Sequence, residues 1–290
     1  MDKGFAPAKV NLGLRVLGRR ADGFHDLDSL VAFAGVGDQL AARPAAGLSL
    51  SLGGPFARGV PAGEDNIVLR AARALQEARG VRGGAAIRLH KALPHAAGLG
   101  GGSADAAAAI RLLAALWGVE PFAPDAPEVL ALGSDVPACL HAPRALRLRG
   151  RGERVEPAAL PACGLVLVNP GVALPTASVF AALPAPAGRA LPPLEAATPE
   201  ALAAWLGEAG NDLQGPAEAL APAVGEALAL LRRTPGILAA GMSGSGATCV
   251  GIARDAGSAR AAARAIQVAA RTWWVAPAPL LLAEPARSAA

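Results

Sequence analysis

A run of glycines, Gly98-Leu99-Gly100-Gly101-Gly102-Ser103, lies directly before alanines and leucines with helical spacing. Glycines at the start of a helix let backbone N–H groups approach an anion, and the helix dipole favours negative charge there. The run is not a Walker A loop, and it does not complete GxGxxG because Ser103 stands at the last glycine position. It therefore predicts a phosphate site of another kind. The alternative is a flexible loop in a chain with 35 glycines.

Three other positions could take part in phosphate chemistry. Lys9 begins a predicted strand, from which its ammonium could meet a phosphate, or it is a solvated surface lysine. Ser134 is expected to cap a helix that opens with Asp135, where a carboxylate is stabilised in its charged form, or Asp135 is only a capping residue. The turn Ser243-Gly244-Ser245-Gly246 could present N–H groups to an anion, or it is only a tight turn.

Composition narrows the class of protein. The 290 residues suit one large or two medium domains, and the net charge of +4 suits nucleic acid or a small anion. Basic residues are dispersed and aromatics make up only 3%, which favours the small anion over nucleic acid. No window of about 20 apolar residues predicts a membrane span, and residues 1–5 carry no apolar signal core, so a cytoplasmic protein is expected. Scattered Cys139, Cys163 and Cys249 predict buried thiols.

Strands and helices are mixed along the chain, which predicts an α+β protein. Period-two alternation predicts a strand over 8–16, and i, i+3, i+4 spacing predicts a helix over 103–117. Further strands are predicted at 27–33, 48–52, 85–89, 165–168 and 248–252, a hairpin at 147–155, a loop at 181–199, and helices at 67–77, 127–132, 201–208, 224–232 and 258–270. A boundary near 157–163 divides the chain into halves.

Taken in order, the motifs resemble the GHMP kinases, named for galactokinase, homoserine kinase, mevalonate kinase and phosphomevalonate kinase. The resemblance spans nearly the whole chain, and its anchors are the glycine run with the helix after it and the segments at 7–12, 20–25, 64–66, 93–94, 132–137, 211–212 and 243–246. It implies a deep cleft between two domains, a ribosomal-protein-S5-domain-2-like domain at 1–157 and a ferredoxin-like α/β domain at 158–290.

The resemblance implies ATP-dependent phosphorylation of an alcohol. The segment Arg20-Ala21-Asp22-Gly23-Phe24-His25 is similar to the members that phosphorylate the 2-hydroxyl of a cytidine-diphosphate-linked polyol in the non-mevalonate isoprenoid pathway. Two alternatives stay open at this point. One is a kinase of the homoserine or mevalonate type, and the other is a nucleotide-binding regulator without catalysis. ATP, Mg²⁺ and a small-molecule substrate are the expected ligands, with no nucleic acid or membrane partner, in a monomer or weak homodimer.

The resemblance also implies roles for single residues. Asp135 would be the general base and Lys9 its partner, while Ser103 is a candidate Mg²⁺ contact. The residues implied for ATP binding are Asn66, Lys91, Pro94, Gly98, Leu99, Gly100, Gly101, Gly102, Ser103 and Ala104, and those implied for the acceptor substrate are Asn11, Phe24, His25, Thr176, Phe180, Ser243 and Gly244. Phe24 stands where a tyrosine is common in these kinases, which keeps a ring for stacking and loses a hydroxyl.

Overall fold

The computed structural model describes residues 2–186 and 188–283. Its strands in chain order are β1 Asp2–Arg19, β2 His25–Ala45, β3 Ser49–Gly53, β4 Gly84–His90, β5 Leu146–Gly150, β6 Arg154–Pro157, β7 Gly164–Asn169, β8 Ile237–Met242, β9 Cys249–Ala253 and β10 Trp274–Pro279. Its helices are α1 Ile67–Arg79, α2 Gly101–Trp117, α3 Pro127–Leu132, α4 Val136–Leu140, α5 Thr176–Ala181, α6 Pro199–Ala209, α7 Gln214–Leu220, α8 Pro222–Arg233 and α9 Ala256–Ala269.

The first sheet has the strand order β3-β4-β2-β5-β6, and β1 pairs with β2. All its pairings are antiparallel except the parallel pair of β3 and β4. Helices α1 and α2 pack on one face, where the unbroken run of small buried residues in α2 lets it lie close to the sheet. The side chain of Asn66 accepts a hydrogen bond from the N–H of Val68 and so fixes where α1 begins.

The second sheet has the order β10-β7-β9-β8 and is antiparallel throughout. All six residues of β7 are buried, as expected for a central strand covered on both faces. A core cluster joins the two sheets, since Val10 and Leu30 of the first pack with Leu165 and Val250 of the second. This shared core holds the two halves of the chain in a fixed relation on either side of the site.

The expected α+β architecture is confirmed, and it is built on two sheets. The predicted elements recur, but β1 and β2 are much longer than the predicted strands at 8–16 and 27–33, and α2 begins at Gly101, within the glycine run. The expectation that Ser134 caps a helix was wrong, because the N-cap residue of α4 is Asp135 and no side chain caps that helix. Helices α5 and α7 and strand β10 were not predicted from the sequence. The division at 157/158 stays a prediction, and residues 1, 187 and 284–290 of its two domains lie outside the described residues.

The cysteines agree with their expected environment. Cys139, Cys163 and Cys249 are buried free thiols, and burial raises the pKa of Cys139 and of Cys249 to about 12. None of the described helices has the length and apolarity needed to cross a membrane.

Candidate active site

A cleft of about 580 Å³ opens where the glycine loop of the first half faces the turn at 243–246 of the second. Its walls come from the strand β1, the segments before α1 and before α2, the start of α4, and helix α5. Lys9, Asp135, Gly100, Phe180 and Gly244 all line this one cavity, although they come from distant parts of the chain.

The glycine loop reaches its shape at two positions where only glycine fits. Gly98 and Gly100 have φ angles of +72° and +60°, in the left-handed region that side chains disfavour. A Cβ on Gly98 would lie 2.5 Å from the carbonyl oxygen of Ser243, and one on Gly100 would lie 2.9 Å from Cε of Lys9. No side chain caps the N-terminus of α2, so its first N–H groups are available to an anion in the cleft.

Lys9 and Asp135 meet in this cleft. Nζ of Lys9 lies 3.2 Å from Oδ1 of Asp135 and donates a hydrogen bond of 3.2 Å to Oδ1 of Asn11. The backbone N–H of Lys9 donates to the carbonyl of Leu99, which ties β1 to the glycine loop. Lys9 is buried and the Asp135 side chain is 43% exposed, so the carboxylate can be reached from the cleft. A buried cation beside a reachable carboxylate suits deprotonation of an alcohol.

Ser243 lies beneath the glycine loop. Its side chain is fully buried. Its Oγ accepts a hydrogen bond from the N–H of Asn11 and donates one to the carbonyl of Gly98. The structure therefore places this predicted substrate residue between β1 and the loop. Asn211 supports the same turn by donating from Nδ2 to the carbonyls of Met242 and Gly244. The anchor segment 211–212 marked Asn211 in the sequence without indicating this contact.

Lys91 belongs to a buried cluster under the start of α2. Its Nζ donates to a carboxylate oxygen of Asp38 and, at 2.6 Å, to Oδ2 of Asp105. Asp38 also accepts the N–H groups of Ala92 and Leu93. Burial raises the pKa of Asp105 to about 8, whereas the two carboxylates outweigh burial and raise the pKa of Lys91. Lys91 lines the cleft with its ammonium already paired, and its role towards ATP stays a prediction.

The other predicted ATP residues divide into two groups. Pro94, Asn66, Gly101, Gly102 and Ser103 line the cleft, as do Gly98 and Gly100. Both polar atoms of the Asn66 side chain are engaged locally, with Nδ2 donating 2.6 Å to the carbonyl of Pro61. Leu99 and Ala104 are buried in the core, so their backbones shape the loop and their side chains face away from the cavity.

Of the three rings predicted for the acceptor substrate, Phe180 lines the cleft, whereas Phe24 and His25 are not among its lining residues. His25 and Phe180 stack with ring centroids 4.9 Å apart, and Thr176 shares a 2.9 Å hydrogen bond with Ser245. Phe24 is exposed, and the guanidinium of Arg151 lies 3.8 Å from the centre of its ring. Arg151 lines the cleft and was not foreseen, because nothing in the hairpin 147–155 indicates which of its arginines turns towards another segment.

Two protein-family models match the chain. Residues 66–142 match the family model described as GHMP kinases N terminal domain, and residues 190–270 match GHMP kinases C terminal. The chain belongs to the GHMP kinases. ATP is the phosphate donor that membership of this family implies.

Individual relatives show to which branch of this family the chain belongs. The chain is 54% identical to a protein of Paramagnetospirillum magneticum over 95% of its own length and 97% of the relative. It is 51% identical to one of Parvibaculum lavamentivorans over 93% of its length and 95% of the relative. Both are named 4-diphosphocytidyl-2-C-methyl-D-erythritol kinase, and the chain belongs to this branch of the GHMP kinases. The expected membership of the GHMP kinases, and of the members that act on a cytidine-diphosphate-linked polyol, is confirmed.

Solved structures agree with this placement. A crystal structure of 4-(cytidine 5'-diphospho)-2C-methyl-D-erythritol kinase matches with a TM-score of 0.76 and 37% identity, covering 96% of this chain and 98% of that one. A homoserine kinase from Cytophaga hutchinsonii has a TM-score of 0.67 at 19% identity, covering 97% of this chain and 94% of that one. The second likeness shows the shared fold alone.

Proposed function

We propose that this protein transfers the γ-phosphate of ATP to the 2-hydroxyl of 4-diphosphocytidyl-2-C-methyl-D-erythritol. The observation that carries the proposal is the pair formed by Lys9 and Asp135, 3.2 Å apart, in the same cleft as the glycine loop and the ring of Phe180, on which His25 stacks. One cavity thus offers a phosphate cradle, a base with a cation, and an aromatic site for a nucleobase.

Asp135 accepts the proton of the attacking 2-hydroxyl in this proposal. The exposed carboxylate faces the cleft, and the ammonium of Lys9 stabilises the oxygen as negative charge develops on it. The N–H groups at the start of α2 hold the phosphates of ATP, which positions the γ-phosphate for in-line attack. Phosphoryl transfer depends mainly on such positioning and charge stabilisation, so this small set of groups suffices.

The acceptor's cytosine would occupy the aromatic end of the cleft. His25 reads the edge of the base, Phe24 and Phe180 offer faces for stacking, and Thr176 closes the pocket beside Ser245. Asn11 lies next to Lys9 and would contact the methylerythritol hydroxyls. Support for this assignment comes from Phe180, which lines the cleft and stacks on His25.

Mg²⁺ completes the proposed nucleotide site. ATP phosphates would supply most of its oxygen ligands, and the hydroxyl of Ser103, which lines the cleft at the start of α2, would be its protein contact. When bound, Mg²⁺ neutralises charge on the phosphate oxygens.

We further propose that the protein acts in the cytoplasm, as a monomer or weak homodimer, without a nucleic acid partner.

The proposal is tested by incubating the purified protein with ATP, Mg²⁺ and one alcohol at a time. The cytidyl alcohol should yield ADP and the 2-phosphate in equal amounts, while homoserine and mevalonate should give no product. Turnover of homoserine or mevalonate with none of the cytidyl substrate would overturn the acceptor. ATP binding without turnover of any of the three would instead favour a regulator without catalysis.

A further inference from the structure

A buried serine behind the cleft is linked to Lys9 through one intermediate side chain. Ser29 in β2 is 3% exposed, and its Oγ accepts a 2.7 Å hydrogen bond from Nδ2 of Asn11. The same oxygen donates 2.8 Å to the carbonyl of Gly13. Ser29 is not among the residues that line the cleft, and its side-chain link to Lys9 runs through Asn11.

The strand pairing brings these residues together. Asn11 lies opposite Val31 in the antiparallel pair of β1 and β2, and Ser29 is two residues from Val31, on the same face of the sheet. The register shifts between Asn11 and Gly13, a β-bulge that places the Gly13 carbonyl within reach of the Ser29 hydroxyl. Lys9 and Asn11 are two residues apart and so point to the same side.

The donors and acceptors fix how the Asn11 amide is turned. A hydroxyl has one proton, and that of Ser29 is committed to the Gly13 carbonyl, so its oxygen must accept from Asn11. The NH₂ group of Asn11 therefore points to Ser29 and its Oδ1 points to Nζ of Lys9. The ammonium of Lys9 can only donate hydrogen bonds, so the Asn11 atom that faces it must be the acceptor Oδ1 and not the NH₂ group.

We propose that Ser29 is a positioning residue of the phosphoryl-transfer site, which holds the amide of Asn11 so that its oxygen faces Lys9. Without the Ser29 hydroxyl, the NH₂ group of Asn11 loses its partner and the amide is free to turn. A turned amide would present a donor to the buried ammonium, which would then keep Asp135 as its single remaining oxygen among these contacts. This inference rests on the proposed function, since it concerns the same reaction.

The test is a double-mutant cycle on Ser29→Ala and Asn11→Ala, with kcat and both KM values measured for the cytidyl alcohol and ATP. Ser29→Ala should lower kcat about tenfold, the effect of one buried hydrogen bond, while the KM for ATP stays within about twofold. Ser29→Thr keeps the hydroxyl and should retain most of kcat. In the Asn11→Ala background, Ser29→Ala should have almost no further effect.

Two results would overturn the role of Ser29: wild-type kcat in Ser29→Ala, or the same fold loss with and without Asn11. If Ser29→Ala does not fold, as judged by its thermal unfolding midpoint, Ser29→Cys replaces it, because a thiol fills similar space and accepts weakly. Wild-type kcat in Ser29→Cys would then overturn the proposal. A wild-type protein inactive on the cytidyl alcohol would contradict the proposed function, whereas an active wild type with an equally active Ser29→Ala contradicts only the inference about Ser29.

Discussion

The ammonium Nζ of Lys9 lies 3.2 Å from the carboxylate oxygen Oδ1 of Asp135, and the two side chains differ sharply in exposure, at 7% and 43%. The lysine lies between β1 and the glycine loop, whereas the aspartate is the N-cap residue of α4. Substrate can therefore reach the carboxylate directly while the cation stays fixed behind it. This asymmetry suits a base and a charge stabiliser better than a structural salt bridge.

Asp135→Asn should separate binding from chemistry. The amide keeps the size of the side chain and cannot accept a proton, so kcat should fall by about two orders of magnitude or more, with ATP still bound. ADP release with the cytidyl alcohol measures kcat, and calorimetric titration with ATP measures ATP binding. Asp125→Asn, in the exposed loop before α3, is the matched control and should retain wild-type turnover. Unchanged turnover in Asp135→Asn would remove the base assignment.

Arg151→Met should weaken binding of the acceptor. The guanidinium lies 3.8 Å from the centre of the exposed Phe24 ring and lines the cleft, where it can meet an acceptor that carries two phosphates. Methionine keeps a long apolar stem and removes the charge. The KM for the cytidyl alcohol should rise by about three- to tenfold, with the KM for ATP unchanged.

The matched control for this variant is Arg154→Met, an exposed arginine in β6 of the same hairpin. It should leave both KM values at those of the wild type. Equal KM for the acceptor in wild type and Arg151→Met would show that the contact with Phe24 plays no part in binding.

Asp105→Asn should change how stability depends on pH. Burial raises the pKa of Asp105 to about 8, far above its value of about 3.9 in an unfolded chain. The folded protein therefore holds a proton that the unfolded chain releases, and this stabilisation is complete below pH about 4 and is lost as pH rises towards 8. The free energy of unfolding should fall with pH in the wild type, by at most about 1.4 kcal/mol per pH unit from this group, and less steeply in the variant.

Urea unfolding at pH 6, 7, 8 and 9 measures this dependence. Asp125→Asn, outside the cluster of Lys91, Asp38 and Asp105, should show the wild-type slope. Parallel curves for the wild type and Asp105→Asn would mean that Asp105 carries its charge in the folded protein throughout this range.

The elements that the sequence predicted well have strong local patterns. β1 alternates at period two, and α2 repeats small apolar residues at helical spacing directly after its glycines. β10 was missed because Pro277 and Pro279 argue against a strand, and it exists because an edge strand needs no donor on its free side. α7 was missed because Gly215-Pro216 resembles a turn, whereas proline is tolerated in the first turn of a helix.

The candidate site was predictable where its residues lie in recognisable segments. Asp135 and the glycine loop could be named because each lies at the start of a helix. Lys9 was expected at the start of a strand, which was wrong, because β1 begins at Asp2 and Lys9 lies within it. The partners of Lys91 could not be named, since Asp38 is 53 residues away and no local pattern pairs them. The link from Ser29 to Asn11 depends on a register shift between strands, which periodicity alone does not specify.

A buried ion pair joins the first sheet to the chain of the second half. Asp28 in β2 accepts two hydrogen bonds from Arg147 in β5, at 2.8 and 2.7 Å, and a third from the N–H of Leu191. Burial of Asp28 opposes its ionisation, but the bonds from Arg147 and Leu191 outweigh burial and lower its pKa. The folded carboxylate therefore adds stability above its unfolded pKa, which is lost as pH falls through the lowered value.

Arg147→Met should destabilise the protein by about 3 kcal/mol or more, because it leaves a fully buried carboxylate without the cation that hydrogen-bonds to both of its oxygens. Urea unfolding at pH 7 measures the loss. Arg149→Met is the matched control, since Nε of Arg149 is 3.8 Å from the same carboxylate and its side chain is 37% exposed, so its removal should cost less than about 1 kcal/mol. Equal losses in the two variants would mean that Asp28 is held by general charge and not by the paired hydrogen bonds of Arg147.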